Sequence, residues 1–98
     1  MATFIVLGNF TEQGIKGIKE SPKRSDAFKA LAAKAGVKVK DIYWTQGHYD
    51  IVTIVEAPDA AAATALGLSV AMLGNVRTET LTAFSAEEFG KILAKMPG

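Results

Sequence analysis

Two stretches of the sequence carry apolar residues on both of their alternating sets of positions, and this feature most constrains the fold. "ATFIVLGNF" (residues 2–10) and "DIVTIVE" (residues 50–56) are rich in β-branched and aromatic residues and are typical of strands. Apolar residues occupy both parities of each strand: Phe4, Val6 and Phe10 against Ile5 and Leu7, and Val52 and Ile54 against Ile51 and Val55. A sheet that met water on one face would alternate more cleanly. We therefore expect a sheet that is covered on both faces.

Helix signals separate these strands from two others. Ser21 is predicted to be an N-cap, with Pro22 at the first helical position and Gly36 after the last turn. A second helix begins at Asp59 and is closed by Gly74. The sequence thus predicts one helix before and one helix after the stretch "DIVTIVE".

Two more strands and a final helix complete the pattern. "VKVKDIYWT" (residues 37–45) alternates, with Val37, Val39 and Tyr43 on one parity and Lys38, Lys40, Ile42 and Trp44 on the other. The short link "QGHY" joins it to "DIVTIVE" as a hairpin. "VRTETLTAF" (residues 76–84) is a fourth strand that turns three threonines to one side. Ser85 and Glu88 form a capping box for a last helix, which Pro97 ends.

The element order is β-α-β-β-α-β followed by a helix, which predicts an α+β, ferredoxin-like fold. We expect residues 1–98 to form a single domain, with a four-stranded antiparallel sheet, both helices on one face and an extra C-terminal helix. The other face of the sheet would be bare and apolar. A bare apolar face of this extent usually marks an interaction surface, so we expect a second copy of the chain, or a ligand, to cover it.

Composition removes several classes of function. The net charge is +1, and no overall basic field indicates a nucleic-acid or membrane partner. The absence of cysteine rules out disulfides and thiolate metal sites. No apolar run reaches the roughly 18 residues that span a bilayer, and "MATFIVLGNF" lacks the basic start of a secretory signal. The sequence predicts a cytoplasmic protein.

The hairpin link contains the polar residues that are candidates for a site. Gly47 is explained by the positive φ that such a short link needs. The only histidine, His48, is a candidate general base, but a lone histidine in a turn is more often simply solvated. A metal would need Asp50, Glu56 or Glu79 as further ligands, and zinc prefers several nitrogen or sulfur donors. We therefore predict no metal and no cofactor.

Three blocks of the sequence resemble the GYD family of small bacterial and archaeal proteins. They are "NFTEQGIKGIKESPKR" (residues 9–24), "YWTQGHYDIVTIVEAPD" (residues 43–59) and "GNVRTETLTAFS" (residues 74–85). The Gly-Tyr-Asp signature of that family corresponds to Gly47, Tyr49 and Asp50, with His48 at a variable position. The resemblance implies kinship with the dimeric α+β barrels, in which two ferredoxin-like sheets face each other. That wider group includes cofactor-independent monooxygenases, heme proteins, isomerases and stress proteins, so fold kinship alone decides no function.

The signature makes Tyr49 and Asp50 stronger candidates for catalysis than His48, although Asp50 also suits a structural role in the turn, or an ion pair with Arg77 or Lys40. Trp44 would form one wall of a cavity between two subunits if its parity faces the open side of the sheet. Asn9 and Tyr49 are further ligand-binding candidates, and Thr78, Thr80 and Thr82 could add neutral hydrogen-bonding groups to the same region. The threonines equally suit an ordinary solvent-facing strand.

Two functions remain open on the sequence alone. One is a non-enzymatic homo-oligomer, a homodimer or larger ring, that binds a small molecule between facing sheets. The other is a small cofactor-independent enzyme, an isomerase or a monooxygenase acting on an apolar or aromatic compound. The first is favoured by the two-sided apolar sheet and by the small number of catalytic groups.

Overall fold

The computed structural model describes residues 1–98 and contains four strands and four α-helices. The strands are β1 (Ala2–Phe10), β2 (Lys38–Trp44), β3 (Ile51–Ala57) and β4 (Val76–Ala83). The helices are α1 (Glu12–Lys16), α2 (Ser21–Lys34), α3 (Ala60–Met72) and α4 (Ala86–Leu93), with a short 3₁₀ turn at Ile18–Glu20 before α2. This order confirms the predicted β-α-β-β-α-β pattern with an additional C-terminal helix.

The four strands form one antiparallel sheet in the order β2-β3-β1-β4. The two strands that are apolar on both parities, β1 and β3, are the central pair, and Ile5 of β1 lies opposite Ile54 of β3. The outer strands β2 and β4 carry more charged residues. The α+β, ferredoxin-like fold predicted from the sequence is confirmed.

The core lies on one face of the sheet, beneath α2 and α3. Phe4 and Val55, which are register partners in β1 and β3, are 3% and 1% exposed. They form a cluster with Ala32 of α2 and with Ala63 and Leu66 of α3. Because both helices contribute to this cluster, they lie on the same face of the sheet, which we call the helix side.

The opposite face, here called the open face, carries neither of these two helices. Its apolar residues follow from the strand register and are Ile5, Leu7, Val52, Ile54 and Leu81. Leu81 is 41% exposed, and Tyr43, which lies opposite Val52, is 56% exposed. The open face therefore presents an apolar surface that nothing in the chain fully covers.

A β-bulge in β2 changes which face its last residues occupy. Val39 lies opposite Val55 and Asp41 opposite Ile54, so Lys40 is an extra residue in the pairing. Beyond the bulge Trp44 lies opposite Ile51 and therefore on the helix side, together with Val39. Simple alternation, which placed Val39 and Trp44 on opposite parities, is wrong for this strand.

Local capping explains where most of the helices begin. The side chains of Thr11, Asp59 and Ser85 each accept a hydrogen bond from a backbone N–H in the first turn of α1, α3 and α4. The capping box of Ser85 and Glu88 is present as predicted. The predicted N-cap of α2 is wrong by one residue: Ser21 is already helical, and its hydroxyl is bonded to Trp44.

The C-terminal helix α4 extends away from the rest of the chain. No extensive packing joins α4 to any other element, and the molecule measures 53 Å along its longest axis but 19 Å along its shortest. Its apolar side chains are largely exposed, with Phe89 at 52%, Leu93 at 50% and, just beyond the helix, Met96 at 64%. The helix ends at Leu93, before the Pro97 that the sequence suggested as its stop. No helix of the chain combines the length and apolar character required to cross a membrane.

Candidate functional site

The hairpin between β2 and β3 is closed by backbone contacts and by a glycine at positive φ. Gly47 has φ of +113°, a backbone conformation that favours glycine. The Thr45 backbone N–H donates to the Asp50 carbonyl at 2.8 Å, and its hydroxyl donates to the Tyr49 carbonyl at 2.6 Å. These bonds fix the positions of His48, Tyr49 and Asp50.

Asp50 joins this hairpin to the end of β1. Its Oδ2 accepts a hydrogen bond of 2.9 Å from the Phe10 backbone N–H, and its own N–H donates to the Gly8 carbonyl at 2.8 Å. No ion pair links Asp50 to Arg77, and Lys40 pairs instead with Glu56 at 3.7 Å. The contacts of Asp50 are therefore those of a structural residue that extends the pairing of β1 and β3.

Tyr49 contacts the open face at its β4 edge. Its hydroxyl donates to Glu79 Oε2 at 2.9 Å. This hydrogen bond and the negative charge of Glu79 raise the pKa of the Tyr49 hydroxyl above its ordinary value. Asn9 lies opposite Arg77, two residues before Glu79 on the same face. Tyr49 and Asn9 therefore both lie at the polar margin of the open face.

The three polar residues of the hairpin do not line either of the two principal cavities. His48 is exposed and has no hydrogen bond to another side chain or to the backbone through its ring. The two principal cavities of the chain are lined by residues that include neither His48, Tyr49 nor Asp50. No three His, Asp or Glu side chains are grouped so that they could hold a metal ion. The hydrogen bonds of Thr45 and Asp50 are those that hold a turn.

Trp44 lies on the helix side, apart from the other two predicted ligand-binding residues. Its indole Nε1–H donates to Ser21 Oγ at 2.9 Å, which ties β2 to the first turn of α2. The condition for Trp44 to line a cavity between facing sheets is therefore not met. Trp44 and Asn9 lie on opposite faces of the sheet.

The threonine ladder of β4 also faces the helices. Thr80 lies opposite Val6 and Thr82 opposite Phe4, while the Thr78 hydroxyl points to Gly67 of α3. These threonines cannot serve the open face on which Asn9 lies. Of the predicted ligand-binding groups, only Asn9 and Tyr49 lie on the same face of the sheet.

An apolar cavity of about 170 Å³, which we call the helix-side cavity, lies between the sheet and the two helices α2 and α3. Aromatic walls are provided by Phe10, Phe28 and Trp44, and the few polar groups on its lining include Arg24 and Thr53. Alternation alone did not reveal this cavity. The sequence feature that could have predicted the cavity is a set of small residues at positions where large side chains would fill a core. Among them are Gly8 on β1 and Ala63 and Gly67 on α3.

Comparisons with known proteins extend these observations. A protein of Thermus thermophilus named "Glutamine synthetase and cystathionine beta-lyase binding protein" is 39% identical over 84 residues, which cover 85% of this chain and 88% of that protein. The crystal structure of TTHA0845 from Thermus thermophilus superimposes with a TM-score of 0.57 at 28% identity, covering 88% of this chain and 96% of the other. The GYD domain model matches residues 4–93, a span that includes the Gly47, Tyr49 and Asp50 signature. The chain therefore belongs to the GYD domain family.

Proposed function

We propose that this protein is a non-enzymatic homo-oligomeric module that binds metabolic enzymes. The observation that carries this proposal is the open face, where apolar residues of three strands form one unpartnered surface. Large contiguous apolar surfaces on small proteins usually serve as interaction sites. The cytoplasmic location predicted from the sequence is part of the same proposal.

A second copy of the chain is the occupant of the open face. Two identical sheets related by a two-fold axis bury the same patch on both subunits, which is the commonest way in which a homodimer closes. Leu7 and Ile54 at the centre of the sheet would then become core residues. The α4 helix, which packs on little of its own chain, would cover the partner with Phe89 and Leu93.

The outer surface of α3 remains accessible in such a dimer, because the helices lie on the far side of each sheet. This helix carries no charged residue, and Leu68, Met72 and the following Leu73 are 63%, 86% and 61% exposed. A helix that is apolar all round is normally buried. We assign this outer surface of α3 to a partner protein.

The class of partner is supported by the relative from Thermus thermophilus, whose name describes a protein that binds glutamine synthetase and cystathionine beta-lyase. Sequence identity of 39% over most of both chains favours a shared mode of action. We therefore propose enzymes of amino-acid metabolism as the partners of this chain as well. A small molecule held between the facing sheets, in contact with Asn9 and Tyr49, stays a prediction of the sequence.

The enzymatic alternative has no specific observation in its favour. An isomerase or monooxygenase built on Tyr49, Asp50 and His48 would need a cavity beside these side chains. Asp50 is occupied by the backbone of β1, and His48 is exposed.

The proposal is tested by titrating the purified chain against purified glutamine synthetase and cystathionine β-lyase from its own organism. Biolayer interferometry measures the binding. We expect saturable binding to at least one enzyme. Leu68→Glu should abolish it, whereas Ala30→Glu on the exposed surface of α2 should not. No binding to either enzyme, or equal binding by the Leu68→Glu variant, would contradict the proposed role of α3.

A further inference from the structure

The helix-side cavity is separate from the open face and shares only Leu73 with the outer surface of α3 assigned above. It lies on the face of the sheet opposite to the open face, and beneath the inner surfaces of α2 and α3. A face-to-face dimer would therefore leave it intact, and a partner on the outside of α3 would not fill it. Its occupant must be sought from its own size and chemistry.

The size of the cavity suits one small ring. Its volume is about 170 Å³, close to the roughly 150 Å³ of an engineered apolar protein cavity that binds benzene. Most of its lining is apolar, and Phe28 and Trp44 present aromatic side chains to it. A single aromatic ring with short substituents would fill this space and contact both side chains.

One hydroxyl group on the lining, carried by a buried residue, has no hydrogen-bond partner in the chain. Thr53, in the middle of β3, is only 6% exposed, yet its side chain takes part in none of the hydrogen bonds of the chain. No fully enclosed polar atom of the protein lacks a partner, so the Thr53 hydroxyl must open onto the cavity that it lines. Polar groups in a protein interior are normally hydrogen-bonded to the protein, to ordered water or to a ligand. A hydroxyl group on a bound molecule would satisfy it.

The mouth of the cavity carries an unpaired cation. Arg24 is half-buried on the first turns of α2, and its Nη1 donates only to the Gly14 carbonyl, at 3.4 Å. None of the ion pairs of the chain includes Arg24. Guanidinium has five N–H donors and favours carboxylates, with which it forms short charged hydrogen bonds. A carboxylate is therefore the group best suited to this end of the cavity.

We propose that the helix-side cavity binds a small aromatic carboxylic acid that bears a hydroxyl group. The carboxylate of the ligand pairs with Arg24 at the mouth, the ring lies between Phe28 and Trp44, and the hydroxyl bonds to Thr53 at the inner end. This site belongs to each single chain and does not depend on how many copies assemble.

Three related probes separate these contacts: 4-hydroxyphenylacetate carries both polar groups, phenylacetate lacks the hydroxyl, and 4-methylphenol lacks the carboxylate. Titration calorimetry on the full chain should give the tightest binding for 4-hydroxyphenylacetate. Arg24→Gln should weaken that probe about tenfold and leave 4-methylphenol unchanged, since a hydrogen bond to a charged group is the stronger kind. Lys23→Gln, at the neighbouring exposed cation, is the matched control and should change nothing.

Thr53→Val keeps the shape of the side chain and removes its hydroxyl. It should weaken 4-hydroxyphenylacetate and 4-methylphenol about fivefold, the usual size of a neutral hydrogen bond, and leave phenylacetate unchanged. Gly67→Leu, which places a side chain into the cavity from α3, should abolish the binding of all three probes while the protein stays folded.

NMR of the unsubstituted protein checks where the probe binds. The γ-methyl resonance of Thr53 should shift as 4-hydroxyphenylacetate is added. Absence of binding at millimolar concentration would overturn the proposal. So would binding that leaves the Thr53 methyl unchanged, or that persists at full strength in the folded Gly67→Leu variant, because the ligand would then lie elsewhere, for example between the sheets.

Discussion

The Asp50 carboxylate accepts a 2.9 Å hydrogen bond from the Phe10 backbone N–H, 40 residues earlier in the chain. This contact joins the Asp of the Gly-Tyr-Asp signature to the end of the central strand β1. The Asp50 N–H continues the same ladder by donating to Gly8. The signature thus marks the point where the β2–β3 hairpin is hydrogen-bonded to the end of the central strand β1.

Removal of this carboxylate should destabilise the fold. We expect Asp50→Ala to lower the free energy of unfolding by about 1–3 kcal/mol, because the Phe10 N–H loses a charged acceptor in a half-buried place. His48→Ala, at an exposed neighbour, should change it by less than about 0.5 kcal/mol. Urea denaturation followed by circular dichroism measures both. Equal effects of the two substitutions would show that Asp50 has no special structural role.

Gly47 should tolerate a side chain poorly, although nothing lies within 4 Å of where its Cβ would be. Its φ of +113° is one that residues with a side chain rarely adopt, so Gly47→Ala should cost about 1–2 kcal/mol of stability. Gly90, inside α4, also has open space but no positive φ. Gly90→Ala should instead stabilise helix α4 by about 0.5–1 kcal/mol. Thermal unfolding would contradict the account if the two alanines shifted stability in the same direction.

Trp44 and Ser21 should be energetically coupled through their 2.9 Å hydrogen bond. In a double-mutant cycle with Trp44→Phe and Ser21→Ala, we expect a coupling energy of about 0.5–1.5 kcal/mol. Ser25→Ala, one turn further along α2, should show no coupling to Trp44→Phe. Additive effects of the Trp44 and Ser21 substitutions would mean that the bond does not hold β2 to α2.

The capping box of α4 should make this helix sensitive to acid. The hydrogen bond that the Ser85 backbone N–H donates to the Glu88 carboxylate, and after it the hydrogen-bonding Ser85 hydroxyl, lower the pKa of Glu88 below its ordinary value of 4.5. A lowered pKa in the folded state means that the stabilisation is complete above pH 4.5 and is lost as the pH falls through the lower, folded value. Helicity of residues 86–93 should decrease over that acidic range.

The Cα chemical shifts of α4 measured against pH test this expectation. Glu88→Gln, whose amide can still accept the bond but cannot titrate, should remove the pH dependence. Glu87→Gln, which affects only an exposed pair with Lys91, should leave it in place. A titration of helicity that survives in Glu88→Gln would assign the effect to another group.

Local chemistry was readable from the sequence, because it depends on residues a few positions apart. The caps at Asp59 and Ser85 and the positive-φ glycines Gly36 and Gly74 are where the pattern predicts them. The two-sided apolar character of β1 and β3 likewise predicted that the face of the sheet without helices is apolar. The fold class followed from these elements.

Features that depend on contacts across the sheet were not readable. The bulge at Lys40 inserts a single residue, and one residue is enough to move Trp44 to the other face. Ser21 has the side chain of an N-cap, but its partner is an indole 23 residues away. The unpaired Thr53 hydroxyl looks in the sequence like any strand threonine, and only its buried position makes it a candidate ligand contact.

The claim on which the proposed function depends is that a second copy covers the open face. Size-exclusion chromatography with light scattering at micromolar concentration measures this directly. We predict a mass of at least twice the 10.4 kDa of one chain. Ile54→Asp, at the centre of the open face, should reduce it to one chain, whereas Leu68→Glu on α3 should not. A stable mass of 10.4 kDa for the unsubstituted protein would contradict the account.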